Sequence, residues 1–235
     1  MNEPHPVGIL APSREAMEAV DPKFVTEGLL RAREKTIAGL ATLRGELKEG
    51  MTEDEARKLA LRVFREQGVT KHWHKPYIRF GAGTTLTFND PLQPDYRLQT
   101  GDPYYIDLGP VWSDPELGLE YEGDYGDTFV FGENAEAEKC AATARQLFGE
   151  AKSAWRSQSL SGQGLYEFLR RRSHEMGYLL VDGVEGHRVA DFPHHRYSKA
   201  QLATVPFFPS AAVWVLELQL NDPQRRFGAF FEDLL

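Results

Sequence analysis

The sequence predicts an α+β domain made of two halves, each a pair of helices next to a set of strands. Hydrophobic residues recur at helical spacing in two stretches, residues 22–47 with 52–68 and residues 135–156 with 161–176. Aromatic and β-branched residues, which are typical of strands, follow each stretch. The 235 residues contain no repeat and no segment with the composition of a linker, so we expect both halves to wrap into one domain.

The elements are predicted in chain order, beginning with the N-terminal segment. Residues 1–20 carry three prolines and little hydrophobic periodicity, so we expect an extended arm before a domain over residues 21–235. The first helix stops before Gly50. Thr52 and Glu55 have the spacing of a capping box, which predicts the start of the second helix.

The strands are predicted from composition and alternation. Residues 77–88 and 104–108 are rich in aromatic and β-branched side chains, and residues 107–131 are expected to hold a polar loop and one more strand. Residues 213–220 alternate between two sets of side chains, as expected for a strand with two different faces.

Composition and charge exclude several classes of partner. The 35 acidic residues exceed the 27 basic ones, and no basic run is longer than Arg170–Arg172, which argues against nucleic acid. No apolar stretch is long enough to span a membrane and no signal peptide is visible, so we expect no membrane partner and a cytoplasmic location. The single cysteine, Cys140, excludes an internal disulfide. The oligomeric state stays open, with a homodimer as one alternative.

Five residues of metal-ligand type stand in or near predicted strands. They are Asp107, Asp124, His187, Glu217 and Glu232. Four carboxylates that converge with one imidazole repel each other, and a pair of divalent cations is the simplest way to neutralise them. Mixed oxygen and nitrogen ligands fit Mn, Co, Fe or Zn.

The order of motifs resembles that of a known family, the pita-bread metallopeptidases that include creatinase, methionine aminopeptidase and aminopeptidase P. LQTGDPYYIDLG over residues 98–109 resembles the family motif L-x-x-G-D-x-x-x-x-D-x-G, and GDYGDTFVFG over residues 123–132 is similar to its second aspartate segment. Gly186 and His187, followed seven residues later by His194, match the ligand histidine and the substrate-side histidine.

The resemblance implies a pita-bread fold, in which a curved antiparallel sheet carries helices on its outer face and consists of two pseudo-related halves. It covers the catalytic domain only, because the sequence has no counterpart of the large N-terminal domain of aminopeptidase P, prolidase and creatinase. It also implies that Asp107, Asp124, His187, Glu217 and Glu232 bind two divalent ions, with Asp124 and Glu232 as bridges.

Further residues receive roles from the same resemblance. Glu217 is expected to shuttle a proton, and His194 to contact the substrate and donate to its carbonyl oxygen. His72 and His74 alternate and so could face one metal, but the family has a substrate-pocket histidine near here, so His74 is predicted to bind substrate.

Three departures from the family pattern stand out. Asn89 occupies the position of a catalytic histidine, so we expect it to contact substrate and to lower peptidase turnover, because an amide cannot take up a proton. WSDPELGLEY, residues 112–121, is predicted to be an inserted loop at the rim of the site. Asp127 is an alternative to Asp124.

The predicted function is hydrolysis of a peptide or amide bond in a small substrate by a dinuclear metal centre, as in an aminopeptidase or X-Pro peptidase. Two alternatives stay open at this point. One is a binding protein that has kept the fold and lost activity, and the other is a creatinase-like hydrolase that cleaves a C–N bond without metal.

Overall fold

The computed structural model describes residues 13–235, and within them it contains five α-helices and nine β-strands. The helices are α1 (Arg14–Met17), α2 (Thr26–Glu46), α3 (Glu53–Glu66), α4 (Ala135–Gln158) and α5 (Gly162–Glu175). The strands are β1 (Lys71–His72), β2 (Tyr77–Phe80), β3 (Pro103–Leu108), β4 (Pro110–Asp114), β5 (Leu119–Glu122), β6 (Tyr125–Val130), β7 (Leu179–Leu180), β8 (Val215–Asn221) and β9 (Gly228–Leu234). None of the helices in this range has the length and apolar character needed to cross a bilayer.

The long helices follow the predicted pattern, and side chains cap the first turns of α3, α4 and α5. The Thr52 hydroxyl accepts a hydrogen bond from the Glu55 backbone, and the Glu55 carboxylate accepts one from the Thr52 backbone, which confirms the predicted capping box of α3. The side chains of Asn134 and Ser161 each accept one backbone hydrogen bond, at the start of α4 and of α5. Such caps satisfy backbone N–H groups that a helix leaves free at its start.

The predicted N-terminal arm is only partly described. Residues 1–12 of that arm lie outside the described residues. The remainder is not extended, because Ser13 caps the single turn of α1 and Met17 is buried. Glu18 then accepts hydrogen bonds from Trp214 Nε1 at 2.8 Å and Ser210 Oγ at 2.7 Å, so this segment packs against the domain.

The main sheet has six antiparallel strands in the order β2-β3-β6-β9-β8-β7. Its first three strands come from one half of the chain and its last three from the other, and the halves meet where Gly126 on β6 pairs with Glu232 on β9. A smaller antiparallel sheet has the order β1-β4-β5. The prediction of an antiparallel α+β fold with two related halves is therefore confirmed.

Helices cover one face of the main sheet, which we call the outer face. Ile106 and Leu108 of β3 pack with α2 and α3 in one hydrophobic cluster. Leu216 and Leu218 of β8 pack with α4 and α5 in another. Because successive side chains of a strand point to opposite faces, the residues between these positions point to the inner face.

Two segments differ from the sequence prediction. The strand predicted over residues 77–88 ends at Phe80, because Gly81 takes a positive φ of 52° and the chain enters a 3-10 turn, Gly81–Thr85. The loop predicted over residues 112–121 is wrong, since β4 and β5 form a hairpin there. Its turn contains Gly118, with φ of 66°, and the buried Trp112 and Tyr121 face each other across the pair.

Candidate metal centre

Strand register brings the predicted carboxylates together on the inner face of the main sheet. Asp107 pairs with Gly126, Gly126 pairs with Glu232, and Glu232 pairs with Glu217, which makes one row across β3, β6, β9 and β8. Residues paired directly on antiparallel strands point to the same face. Asp124 precedes Gly126 by two residues, so its carboxylate reaches this face as well.

A glycine places His187 beside this row. The Val215 backbone N–H donates to the His187 carbonyl oxygen at 3.0 Å, so the loop segment lies against β8. A Cβ on Gly186 would lie 2.0 Å from the Val215 carbonyl oxygen, and only glycine permits so close an approach. His187 therefore lies next to Glu217.

The ring of His187 has one nitrogen fixed and one directed at the carboxylates. Nδ1 is 2.6 Å from the Arg188 carbonyl oxygen, to which it donates, so in the neutral ring the lone pair is on Nε2. Nε2 lies 3.0 Å from Asp124 Oδ2, 3.6 Å from Glu217 Oε1 and 4.0 Å from Glu232 Oε1. Metal-bound histidines commonly donate their other ring N–H in this way.

Potential ligand atoms of five residues fall into two groups that share Asp124, while Glu217 belongs to neither group although its Oε1 lies 3.6 Å from His187 Nε2. In each group, one atom from every member lies within 4.8 Å of the others. One group contains His74, Asp107 and Asp124, and the other contains Asp124, His187 and Glu232.

Two buried atoms of this cluster have no hydrogen-bond partner among residues 13–235. They are Asp124 Oδ2 and His187 Nε2, which approach each other to 3.0 Å without the alignment of a hydrogen bond. Buried polar atoms are nearly always satisfied, so an oxygen and a nitrogen left free side by side fit a cation between them. The residues present therefore suit the divalent ions that the motifs imply.

The charges of the cluster perturb its proton affinities. Burial raises the pKa of Glu217 to about 8, with Asp107 adding to the effect against the opposing influence of His187. Burial also raises the pKa of Glu232 well above its usual value. Burial alone would lower the pKa of His187, but the Asp124 carboxylate raises it to about 10. Without cations, the cluster thus retains protons that offset its negative charge.

His194 contacts a buried carboxylate that sequence reasoning missed. Its Nδ1 lies 2.6 Å from Glu122 Oε2, and its backbone N–H donates to Glu122 Oε1 at 3.0 Å. Glu122 is fully buried at the end of β5, in the acidic segment for which a loop and one strand were predicted, so no local signal distinguished it. The neighbouring His195 is exposed, and His194 is the one that faces the cavity.

A cavity of about 260 Å³ opens over the cluster. Trp73, Tyr77 and Phe88 form its aromatic walls, and His74 and His194 also line it, where the sequence predicted substrate contacts. Trp73 Nε1 donates to Asp124 Oδ1 at 3.2 Å, so the wall formed by Trp73 is hydrogen-bonded to the carboxylate cluster.

Two other candidates lie elsewhere. Asn89 is exposed on a turn and does not line this cavity, where Phe88 stands instead, so the predicted contact of Asn89 with substrate has no support in this geometry. Asp127 lies on the outer face, where its carboxylate accepts hydrogen bonds from Arg145 Nε at 2.9 and 3.1 Å. The alternative that Asp127 replaces Asp124 is therefore wrong.

Solved structures resemble this fold at low sequence identity. The prolidase from Pyrococcus horikoshii OT3 superposes with a TM-score of 0.72 and 17% identity over 94% of this chain and 61% of its own. The X-Pro aminopeptidase from Thermotoga maritima MSB8 has a TM-score of 0.69 and 18% identity over 88% of this chain and 56% of its own. The chain thus spans little more than half the length of these two proteins.

A shorter enzyme is matched over nearly its whole length. The methionine aminopeptidase from Thermotoga maritima has a TM-score of 0.67 and 14% identity over 92% of this chain and 93% of its own. These neighbours confirm the predicted pita-bread fold. No curated protein sequence matches the chain. The model of metallopeptidase family M24 matches residues 27–235, and the chain therefore belongs to that family.

Proposed function

We propose that this chain is a dinuclear metal-dependent hydrolase that cleaves the peptide or amide bond of a small substrate, as an aminopeptidase or X-Pro peptidase does. The observation that carries the proposal is the position of Asp124. It is shared by two groups of potential ligands, and one of its buried oxygens has no hydrogen-bond partner among the described residues. A carboxylate in that position fits a bridge between two cations.

The proposal assigns a role to each of the five predicted ligands. Asp107 would complete one site, and His187 with Glu217 would complete the other, while Asp124 and Glu232 would bridge them. When bound, two divalent ions of Mn, Co, Fe or Zn would supply an activated water and polarise the substrate carbonyl.

The protein groups around the cluster can move the protons of the reaction. Glu217 lies on the row of carboxylates beside His187, where a carboxylate could accept a proton from the attacking water and give it to the leaving amine. Glu122 holds His194 through Nδ1, so Nε2 of His194 is available to a substrate in the cavity. An Nε2–H of His194 would donate to the carbonyl oxygen as negative charge develops there.

The cavity supports a small substrate. Its volume of about 260 Å³ is just below the usual range of ligand pockets, about 300–1,000 Å³, which suits a dipeptide or a small amide. Tyr77 and Phe88 offer apolar walls to a side chain or to a proline ring. Glu185 also lines the cavity, so its carboxylate can attract a free amino group.

Metal analysis combined with a substrate panel tests this proposal. We expect the purified full chain, reconstituted with Mn, Co, Fe or Zn, to bind two ions and to hydrolyse X-Pro or other dipeptides. Two bound ions without turnover on any peptide would point to a binding protein. Turnover that survives complete removal of metal would point to a metal-independent C–N hydrolase, and either result would overturn the proposal.

A further inference from the structure

We propose that His74 is a sixth ligand of the dinuclear centre, so that each of the two ions is held by one imidazole as well as by carboxylates. This inference rests on the proposed function, and it gives His74 a role different from the substrate contact expected from the sequence.

The distances around His74 Nε2 are close to those between ligands of one ion. Nε2 lies 3.4 Å from Asp107 Oδ1 and 3.7 Å from Asp124 Oδ1. Ligand atoms bound to one ion at about 2.0–2.2 Å lie roughly 3.0–3.6 Å from one another. Both distances exceed the range of about 2.7–2.9 Å expected for a hydrogen bond between an imidazolium and a carboxylate. The three atoms therefore surround a position for a cation.

The second nitrogen of His74 fixes the tautomer that a ligand needs. Nδ1 lies 2.7 Å from the Lys75 carbonyl oxygen, to which it donates, so in the neutral ring the lone pair is on Nε2, which faces the carboxylates. His187 has the same arrangement with the carbonyl oxygen of Arg188 at 2.6 Å. Each ring is thus oriented by the backbone of the residue that follows it.

Asp124 lies between the two rings and directs a different oxygen to each. Oδ1 faces His74 Nε2 at 3.7 Å, and Oδ2 faces His187 Nε2 at 3.0 Å. A carboxylate that bridges two ions directs one oxygen to each of them. One imidazole beside each oxygen is therefore the arrangement expected if each ion has one histidine ligand.

The ring of His74 is also held in place by its neighbours. It stacks on Tyr77 with centroids 5.1 Å apart and an interplanar angle of 14°, and it meets the edge of Trp73 at 4.3 Å. Its side chain is 9% exposed. A Cβ on Gly109 would lie 2.6 Å from His74 Cδ2, so the absence of a side chain there lets the ring approach β3. Ligands need such fixed positions.

His72, two residues earlier, provides a matched comparison. Its ring lies against Phe64 with centroids 6.1 Å apart, and it belongs to neither group of potential ligands. Replacing His72 removes a histidine from the same segment and leaves Asp107 and Asp124 untouched. The variant His72→Gln is therefore a control for His74→Phe, which preserves ring packing, and for His74→Gln.

The test is proton NMR of the full chain loaded with Co²⁺, together with a Co²⁺ titration. An imidazole bound to Co²⁺ through Nε2 shows a strongly shifted, exchangeable Nδ1–H signal, which here is protected by the hydrogen bond to a carbonyl oxygen. We expect two such signals in the natural protein and in His72→Gln, and one in both His74 variants. We also expect one of the two ions to bind at least about tenfold more weakly in the His74 variants.

The outcomes separate this inference from the function on which it rests. Two bound Co²⁺ ions with only one shifted Nδ1–H in the natural protein would overturn the role of His74 and leave the dinuclear centre standing. Two signals that persist in His74→Phe would do the same. A natural protein that binds no Co²⁺ would overturn both proposals. Because the natural protein alone is expected to show two signals, the test holds even if a variant fails to fold.

Discussion

Asp124 and Asp127 lie three residues apart on opposite faces of the main sheet, and both are buried. On the outer face, Asp127 accepts hydrogen bonds from Arg145 Nε and from the Thr128 backbone N–H at 2.7 Å. On the inner face, Asp124 accepts one hydrogen bond through Oδ1, from Trp73, and its Oδ2 has no partner among residues 13–235.

The difference shows that burial alone does not distinguish a structural carboxylate from one that binds a ligand. The negative charge of Asp127 is already compensated, because Arg145 of the same chain forms an ion pair with it. The inner face holds four carboxylates. The two groups of potential ligands also contain two imidazoles, those of His74 and His187. Buried charges need partners, and those of the inner face fit cations taken up from solution.

Exchanging one carboxylate for an amide on each face gives the largest expected effect. We expect Asp124→Asn to weaken binding of at least one metal ion by more than about 100-fold and to lower turnover by at least a similar factor. Asp127→Asn should keep both properties and lose about 1 kcal/mol of unfolding free energy, since Arg145 is partly exposed. Metal titration, turnover and urea unfolding measure these effects. Equal loss of metal in the two variants would contradict the comparison.

Removal of metal should destabilise the fold through the inner face. A ligand present at 100 times its Kd adds about 2.7 kcal/mol to stability, and for a chain of this size each kcal/mol shifts the Tm by about 2–4 °C. We therefore expect a chelator to lower the Tm of the natural protein by about 5–10 °C. The Tm of Asp124→Asn should respond much less, and a chelator without effect on the natural protein would argue against the centre.

The pH dependence of the stability of the metal-free protein tests whether the inner-face carboxylates lack partners for their charge. The pKa of Glu217 is about 8 in the folded chain, above its ordinary value of 4.5. Its contribution to the free energy of unfolding is therefore full below about pH 4.5 and is lost as the pH rises to about 8. Glu217→Gln cannot ionise. In the presence of a chelator, the Tm of Glu217→Gln minus that of the natural protein should therefore rise between about pH 4.5 and pH 8 and stay constant above about pH 8. A difference that does not change with pH would show that Glu217 ionises freely.

Glu122 is a third buried carboxylate, and its close partner is the imidazole of His194. Glu122→Gln keeps the shape and removes the charge that orients the ring, so we expect turnover to fall by about 10-fold to 100-fold with two ions still bound. Glu120→Gln, on the same strand, removes a surface ion pair with Lys71 and should leave turnover unchanged. Loss of metal in Glu122→Gln would show that Glu122 supports the cluster itself.

The sequence predicted most of the helices and the residue types of the cluster, because both depend on local patterns. Helix periodicity and the Thr52–Glu55 cap are set within a few residues. Asp107, Asp124 and His187 stand in short motifs that can be recognised without knowing the fold. Their meeting on one face also requires strand alternation, which the sequence contains.

The remaining features depend on pairing between distant segments. The register that aligns Asp107, Glu232 and Glu217 is set by contacts across four strands, and no motif encodes it. The hairpin of β4 and β5 forms in an acid-rich segment because β4 also pairs with β1, so composition alone suggested a loop. For the same reason, the contact of Glu122 with His194 was not predictable.

The join between the two halves of the main sheet is narrow. Strands β6 and β9 share one registered pair, Gly126 with Glu232, and the Thr128 hydroxyl bridges the backbone of Phe230 through two hydrogen bonds of 2.8 Å. The potential ligands come from both sides of this join. Ions bound there would act as cross-links between the halves, so the metal-loaded protein should resist separation of its two halves. In the metal-free protein, β6 and β9 should separate from each other first.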